Sequence, residues 1–225
     1  MGTSIDELCG RFGVIEIAPS ECRSLDVSHE EYPNEYDSFA LPATRKIAPI
    51  VCGELKGVKY VLELGCGTGL RLLYYALNNH DTKFIAIDND KSKIRIVEQR
   101  IKKLGVNNVQ INYGDMYKLD PSLKLDCVLA IDCIPEKVPK YFSSVVSDYQ
   151  HFTRTSFVLF GKMIDKTKSP AFLASVHYGT WSDDHEESYM GLGKAAGLSH
   201  QEFFPFSYKK IGEEENKGTV IIASP

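Results

Sequence analysis

The stretch VLELGCGTGL, residues 61–70, sets three glycines within five positions directly behind an apolar run. Val61, Leu62 and Leu64 read as a buried strand, and the apolar positions from Leu70 through Leu73 to Leu77 recur at helical spacing. The glycines therefore occupy a strand-to-helix turn. Glycine adopts positive φ and lets a ligand reach the main chain without meeting a Cβ, so Gly65, Gly67 and Gly69 form the floor of a candidate ligand cradle. An ordinary tight turn is the alternative that the flanking sequence has to decide.

Beyond the turn, short apolar runs alternate with helical patterns. The runs are YVLEL (60–64), FIAI (84–87), NVQIN (108–112), LDCVLAI (125–131) and TSFVLFG (155–161), each long enough for a buried strand. Ile94, Val97, Ile101 and Leu104 mark the clearest helix, with Asn89 or Asp90 at its start and Gly105 at its end. Strands alternating with helices predict a parallel sheet covered on both faces. The last third departs from this rhythm: helical character over about 185–197 precedes FFPF (203–206) and GTVIIASP (218–225), which have no room for a crossover between them and predict an antiparallel hairpin. Residues 1–35 carry few periodic signals, and 36–55 predict a helix broken near Pro42 and Pro49. Residues 1–55 read as an N-terminal cap on a domain spanning 56–225, being too short and too polar to bury a core of their own.

A chain of 225 residues with 43% hydrophobic and 25% charged residues suits one large globular domain. No stretch approaches the roughly 18 consecutive apolar residues of a membrane helix, and the first ten residues lack the basic flank and apolar core of a signal peptide. Asp6 stands where a myristoylation signal needs Ser or Thr. Six scattered cysteines without metal-knuckle or redox spacing predict reduced thiols and a cytoplasmic protein. The net charge of −4, with no basic run, argues against a nucleic-acid partner.

The loop itself reads E-x-G-x-G-x-G from Glu63 to Gly69, with Leu70 where a dinucleotide fingerprint needs its third glycine. Asp88 ends the run FIAID, where a carboxylate can accept from both hydroxyls of a ribose; capping the next helix is the other reading, for which Asn89 and Asp90 already offer side chains. Asp115 and Met116 follow the third run in NYGDMY. Taken in order, these motifs resemble the class I S-adenosylmethionine-dependent methyltransferases over about residues 36–225. The resemblance implies a doubly wound, Rossmann-like α/β fold with a seven-stranded sheet, mostly parallel with the last strand antiparallel. It also implies S-adenosylmethionine as cofactor, held by Glu63, Gly65, Cys66, Gly67, Gly69, Asp88, Asn89, Asp115, Met116 and Asp132. In that family the acid at Asp115 accepts from the adenine amino group, and Glu63 orients the loop and the methionine amino group. A structural carboxylate satisfied by backbone amides is the other reading of Glu63, since a buried charge needs a partner.

The fourth run closes as AIDCIPE, which by the same resemblance lies beside the transferable methyl and turns Asp132, Cys133 and Ile134 toward it. Asp132 and Asp165 suggest the metal-dependent catechol-type subgroup, but Lys166 stands where that subgroup has asparagine, too few ligands for the roughly six oxygens of Mg²⁺, so no metal is expected. The segment D-C-I-P also differs from the N-P-P-Y tetrapeptide of amino-methylating nucleic-acid and glutamine enzymes. Methyl transfer from a sulfonium is an in-line displacement driven mainly by placement, and a base is needed only if the acceptor keeps its proton. His177, His185 and Asp132 are the candidates for that role, with His29 in the cap as a further one. Tyr178 and Trp181 lie in a stretch of about 26 residues from Asp165 to Met190, long enough to be functional, and with Tyr32, Tyr36 and Cys133 they are the candidate acceptor wall. Together the two segments predict a lid.

The expected function is methyl transfer to a small organic acceptor. A protein methyltransferase, a non-catalytic cofactor-binding scaffold or activator, and a nicotinamide-dependent dehydrogenase are the rivals; the last would share Asp88 but lacks its third glycine.

Overall fold

The computed structural model describes residues 2–21, 32, 34–120, 122–133, 162–163, 170, 172–178 and 197–225. The alternation seen in sequence becomes β1 (Tyr60–Leu64), α3 (Leu70–Asn78), β2 (Lys83–Asp88), α4 (Lys91–Leu104), β3 (Val109–Tyr113) and β4 (Cys127–Ile131). Ahead of them lie α1 (Ile5–Phe12) and α2 (Glu35–Glu54), and behind them β5 (Phe172–Tyr178), β6 (His200–Lys209) and β7 (Glu215–Ser224). The strands hydrogen-bond in the order β3-β2-β1-β4-β5-β7-β6. The first five run parallel, β7 is antiparallel to β5, and β6 pairs antiparallel with β7.

Side chains on the central strands alternate between two cores. In β4, Cys127, Leu129 and Ile131 join α1 to α4 on one face, while Val128 and Ala130 face Leu125, Met163 and Leu198 on the other. In β7, Val220 and Ile222 divide from Ile221 and Ala223 in the same way. This period of two, with both faces apolar, is what a sheet covered on both sides requires. Each fully buried Leu or Ile contributes about 1.5–3 kcal/mol. The order places a reversal between β1 and β4, which in open α/β sheets opens a crevice at the carboxyl ends of the strands.

Three expectations change. The helix over 35–54 is continuous through Pro42 and Pro49 instead of broken at them. Each proline removes one backbone donor, yet burial of Leu41, Pro42, Ala43, Ile47, Ala48 and Val51 holds the helix together. The first residues are helical: Ser4 caps α1 by accepting from the Glu7 amide at 3.1 Å, and Gly13 closes it with φ 73. Ser-x-x-Glu at 4–7 was the sequence signal for that start. Finally, the strand beside β4 is 172–178, inside the stretch read as a loop from 165 to 190; it pairs with β4 on one side and β7 on the other. His177 and Tyr178 therefore sit on a paired strand and not in a lid loop. The run 155–161 and the helical stretch about 185–197 lie, wholly or almost wholly, outside the described residues.

Candidate functional site

The turn after β1 needs its glycines for three different reasons. All three have positive φ: 59 at Gly65, 58 at Gly67 and 76 at Gly69. A Cβ on Gly65 would stand 2.5 Å from the Cys133 Cβ, so the loop and the end of β4 touch there. On Gly67 it would meet only Tyr36 Cε1, at 4.0 Å, leaving the space above the main chain open. On Gly69 it would collide with Val97 of α4 at 2.8 Å. Gly69 thus packs helix against loop and stands outside the lining of the cavity described next.

That cavity, of about 220 Å³, is assembled from four strand ends. Gly65 and Gly67 follow β1, Asp88 ends β2 and Asn89 follows it, Gly114, Asp115 and Met116 follow β3, and Asp132 and Cys133 follow β4; Tyr36 and Lys93 complete it from α2 and α4. Cys66 lines a smaller chamber of about 40 Å³ behind it, with Asp37, Thr68 and Arg71, and Tyr36, Gly65, Gly67 and Asp132 border both. Tyr32 is half-buried and lines neither; the side chains of His177 and Tyr178 are not described, and Trp181, His185 and His29 lie outside the described residues.

Asp88 accepts from the Gly67 amide through Oδ2 at 2.8 Å and from the Asp90 amide through Oδ1 at 2.9 Å. It therefore fixes the loop, and each oxygen keeps a second acceptor site for an incoming hydroxyl. The cap of α4 falls to Asp90, whose Oδ1 accepts from the Ser92 amide at 2.8 Å. Asp115 is half-exposed and 3.5 Å from Lys118. Glu63 is buried in β1, and its Oε2 has no hydrogen-bond partner among the described residues. Burial pushes its carboxyl up to about 8, against the pull of the nearby Arg71 charge and with the help of Asp88. Burial likewise raises the thiols of Cys66 and Cys133 and the phenol of Tyr36, so all three stay protonated near neutral pH.

Sequence reasoning missed the basic half of this site. Arg71, one residue into α3, donates to Asp132 Oδ2 at 2.5 Å and reaches the Ile131 carbonyl at 3.5 Å. Asp132 has φ 55, a left-handed conformation that no other non-glycine among the described residues adopts, and Asp is one of the few residues that tolerates it. Arg100 was also overlooked, although a charge on the apolar stripe of α4 signals a buried partner; Asp37 lies 2.6 Å away. Among the described residues no group of three or more His, Cys, Asp or Glu gathers to hold a metal.

A family model described as a methyltransferase domain matches residues 55–188. The chain belongs to the class I S-adenosylmethionine-dependent methyltransferase family. Among curated relatives, (S)-tetrahydroprotoberberine N-methyltransferase of Eschscholzia californica is 30% identical over 81 residues, 36% of this chain and 23% of that protein. Ribosomal RNA small subunit methyltransferase G of Aeromonas salmonicida is 31% identical over 81 residues, 36% of this chain and 38% of that protein. The matches thus span well under half of those relatives. A solved S-adenosylmethionine-dependent methyltransferase from Clostridium acetobutylicum superposes with a TM-score of 0.62 at 12% identity, covering 88% of this chain and all of that one. The N-terminal domain of EvdMO1, crystallised with SAH bound, superposes at 0.57 and 17% identity, covering 88% of this chain and 84% of that one. These structural likenesses speak to the fold.

The cavity fits the family cofactor on two counts: Gly67 leaves open space where a side chain would project, and Asp88 and Asp115 supply acceptors at the end of β2 and just after β3. Glu63, buried in β1, lines neither chamber.

Proposed function

We propose that this protein transfers the methyl group of S-adenosylmethionine to a small organic acceptor. The observation that carries the reading is the meeting of Gly67, Asp88, Asp115 and Met116 with Asp132 and Cys133 around one cavity at the reversal of strand order. S-adenosylmethionine supplies an electrophilic methyl on a sulfonium. The chain's own part is binding and orientation: Asp88 receives ribose hydroxyls, Asp115 and the Met116 main chain receive the adenine, and Glu63 faces the amino-acid end. Asn89, Gly65 and Cys66 complete the cradle, and Gly69 sets it by holding α4. Asp132, Cys133 and Tyr36 border the acceptor side, with Tyr32, Tyr178, Trp181, His177 and His185 as further candidates from the two flanking segments. Residues 1–55 act as a cap on the 56–225 domain, whose seven-stranded sheet has its last strand in sequence, β7, antiparallel to its neighbours.

An in-line displacement gains most from holding acceptor and methyl in attack geometry away from water. Asp132, held by Arg71, presents an acceptor that can orient a protonated amine or a hydroxyl. The relatives that methylate alkaloids favour a small amine-bearing acceptor, whereas those named for ribosomal RNA favour a polynucleotide, which a net charge of −4 disfavours. Free thiols among the described cysteines favour a reducing compartment such as the cytoplasm. Calorimetric titration with S-adenosylmethionine, followed by methyl transfer to metabolite, protein and RNA pools read by mass spectrometry, tests the reading. Binding and a labelled small molecule support it; no binding removes the cofactor assignment, and a labelled polymer removes the acceptor assignment.

A further inference from the structure

Thr68 lies between the two left-handed glycines Gly67 and Gly69 and is held from two helices at once. Its hydroxyl donates to Asp37 Oδ1 of α2 at 2.5 Å, across 31 residues of sequence. Its carbonyl accepts from Arg100 Nη1 of α4 at 2.8 Å, and the same guanidinium lies 2.6 Å from Asp37 Oδ2 and donates to Asn34 Oδ1 at 2.9 Å. Asp37, Thr68 and Arg100 are all at most 5% exposed.

A buried ion pair of this kind is a poor source of net stability, because desolvating two charges consumes most of their attraction and an apolar replacement of equal volume does as well. What it provides is a fixed geometry, since every polar atom must find its partner in one arrangement. Here that arrangement fixes two features of the cavity. Tyr36, the residue before Asp37, brings its ring to within 4.0 Å of the point where a Gly67 side chain would begin, with Lys93 Nζ 5.3 Å from the ring centre. Thr68 follows Gly67, whose amide Asp88 holds from the other side.

We propose that Asp37 is a positioning residue for the cofactor loop, joined to Thr68 and Arg100 in a latch that sets the loop and the Tyr36 wall as one unit. The inference rests on the reading of the cavity as an S-adenosylmethionine site. A rotation of the start of α2 that breaks the Asp37–Thr68 bond also carries Tyr36 off Gly67, so cofactor loop and acceptor wall open or close together.

The test compares Thr68→Val, which keeps the shape and removes the hydroxyl, with Thr68→Ser, which keeps the hydroxyl. Hydrogen–deuterium exchange of peptides covering 34–40 and 65–70 in the cofactor-free protein is read beside calorimetric affinity for S-adenosylmethionine and the melting temperature. Expected are faster exchange in both peptides and an affinity roughly tenfold weaker for Thr68→Val, the scale of one lost hydrogen bond to a charged group, with Thr68→Ser near wild type. Asp37→Asn should give the same pattern, and its combination with Thr68→Val should add little further. Faster exchange in 65–70 alone, or a lower melting temperature with exchange and affinity unchanged, overturns the latch. A wild-type protein that binds no S-adenosylmethionine removes the cofactor reading, while the paired exchange of the two peptides still decides the coupling.

Discussion

The two walls of the cavity solve the same problem by opposite chemistry. On the β1 side, the main chain turns left-handed three times, and glycine carries every one of those turns. On the β4 side, one residue turns left-handed, and it is Asp132, held by the half-buried Arg71. The first wall is built to leave room, with Gly67 open above its main chain; the second is built to present a functional group. A side chain in a left-handed conformation costs about 1–2 kcal/mol, which is tolerated where the group it presents is needed. The walls meet where Gly65 lies against Cys133.

Breaking that seam should have the largest effect. Gly65→Ala adds a Cβ 2.5 Å from the Cys133 Cβ and a strained φ, so we expect a stability loss of about 2–5 kcal/mol in denaturant unfolding. Gly67→Ala carries the same φ cost without the collision, and should lose only about 1–2 kcal/mol while weakening S-adenosylmethionine binding more than Gly65→Ala does relative to its stability loss. Equal stability losses in the two variants would erase the distinction between a packing glycine and a ligand-facing one.

The β4 wall is probed next. Asp132→Asn keeps a residue that tolerates left-handed geometry but leaves the Arg71 guanidinium without its carboxylate. A loss of about 2–4 kcal/mol is expected, with Asp132→Asn together with Arg71→Met recovering part of it. If Asp132→Asn alone melts like wild type, the ion pair does not hold this wall. Asp88→Ala comes after it: losing the acceptor for the Gly67 and Asp90 amides should weaken S-adenosylmethionine by roughly 1.5–3 kcal/mol in calorimetry and lower stability by about 1–3 kcal/mol. Unchanged affinity in a folded Asp88→Ala protein sinks the ribose assignment.

The contrast between the walls also explains what the sequence made legible. The β1 wall is written locally: glycines at fixed offsets, a strand before and a helix after, and a carboxylate at the end of the next strand. Asp88, Asp115 and Met116 could be named because Asp88 ends its strand and the other two come within three residues of the end of theirs. The β4 wall depends on pairs that span the fold. Arg71 and Asp132 are 61 residues apart, and only β1 pairing with β4 brings them together. Thr68 fills an x position of the E-x-G-x-G-x-G loop and nothing local marks it, because its partner, Asp37, lies 31 residues away on α2. FLASVHY was passed over as strand because Ala174 and Ser175 weaken its β pattern; neighbours on both sides decide its pairing, and that information is tertiary.

Glu63 gives the sharpest comparison of the walls, because its carboxyl lies on β1 while Arg71, which pulls against its burial, reaches to Asp132. Burial raises its value from 4.5 to about 8 in the folded protein, so the folded state keeps a proton that the unfolded chain releases. Protons bound more tightly by the folded state stabilise it at low pH, and that contribution declines as pH rises through this interval and is gone above about 8. Glu63→Gln mimics the neutral acid, so its stability should match wild type below the lower value and exceed it increasingly toward about 8. Thermal unfolding of the two ligand-free proteins across this range reads the difference directly. S-adenosylmethionine, by giving the unpartnered Oε2 a cationic neighbour, should bind wild type with release of a proton near neutral pH, seen as a dependence of the calorimetric heat on buffer ionisation, and Glu63→Gln without it. Parallel stability curves would mean that Glu63 is already ionised beneath the loop, and the charge balance at this seam would then have to come from Arg71 shared between Glu63 and Asp132.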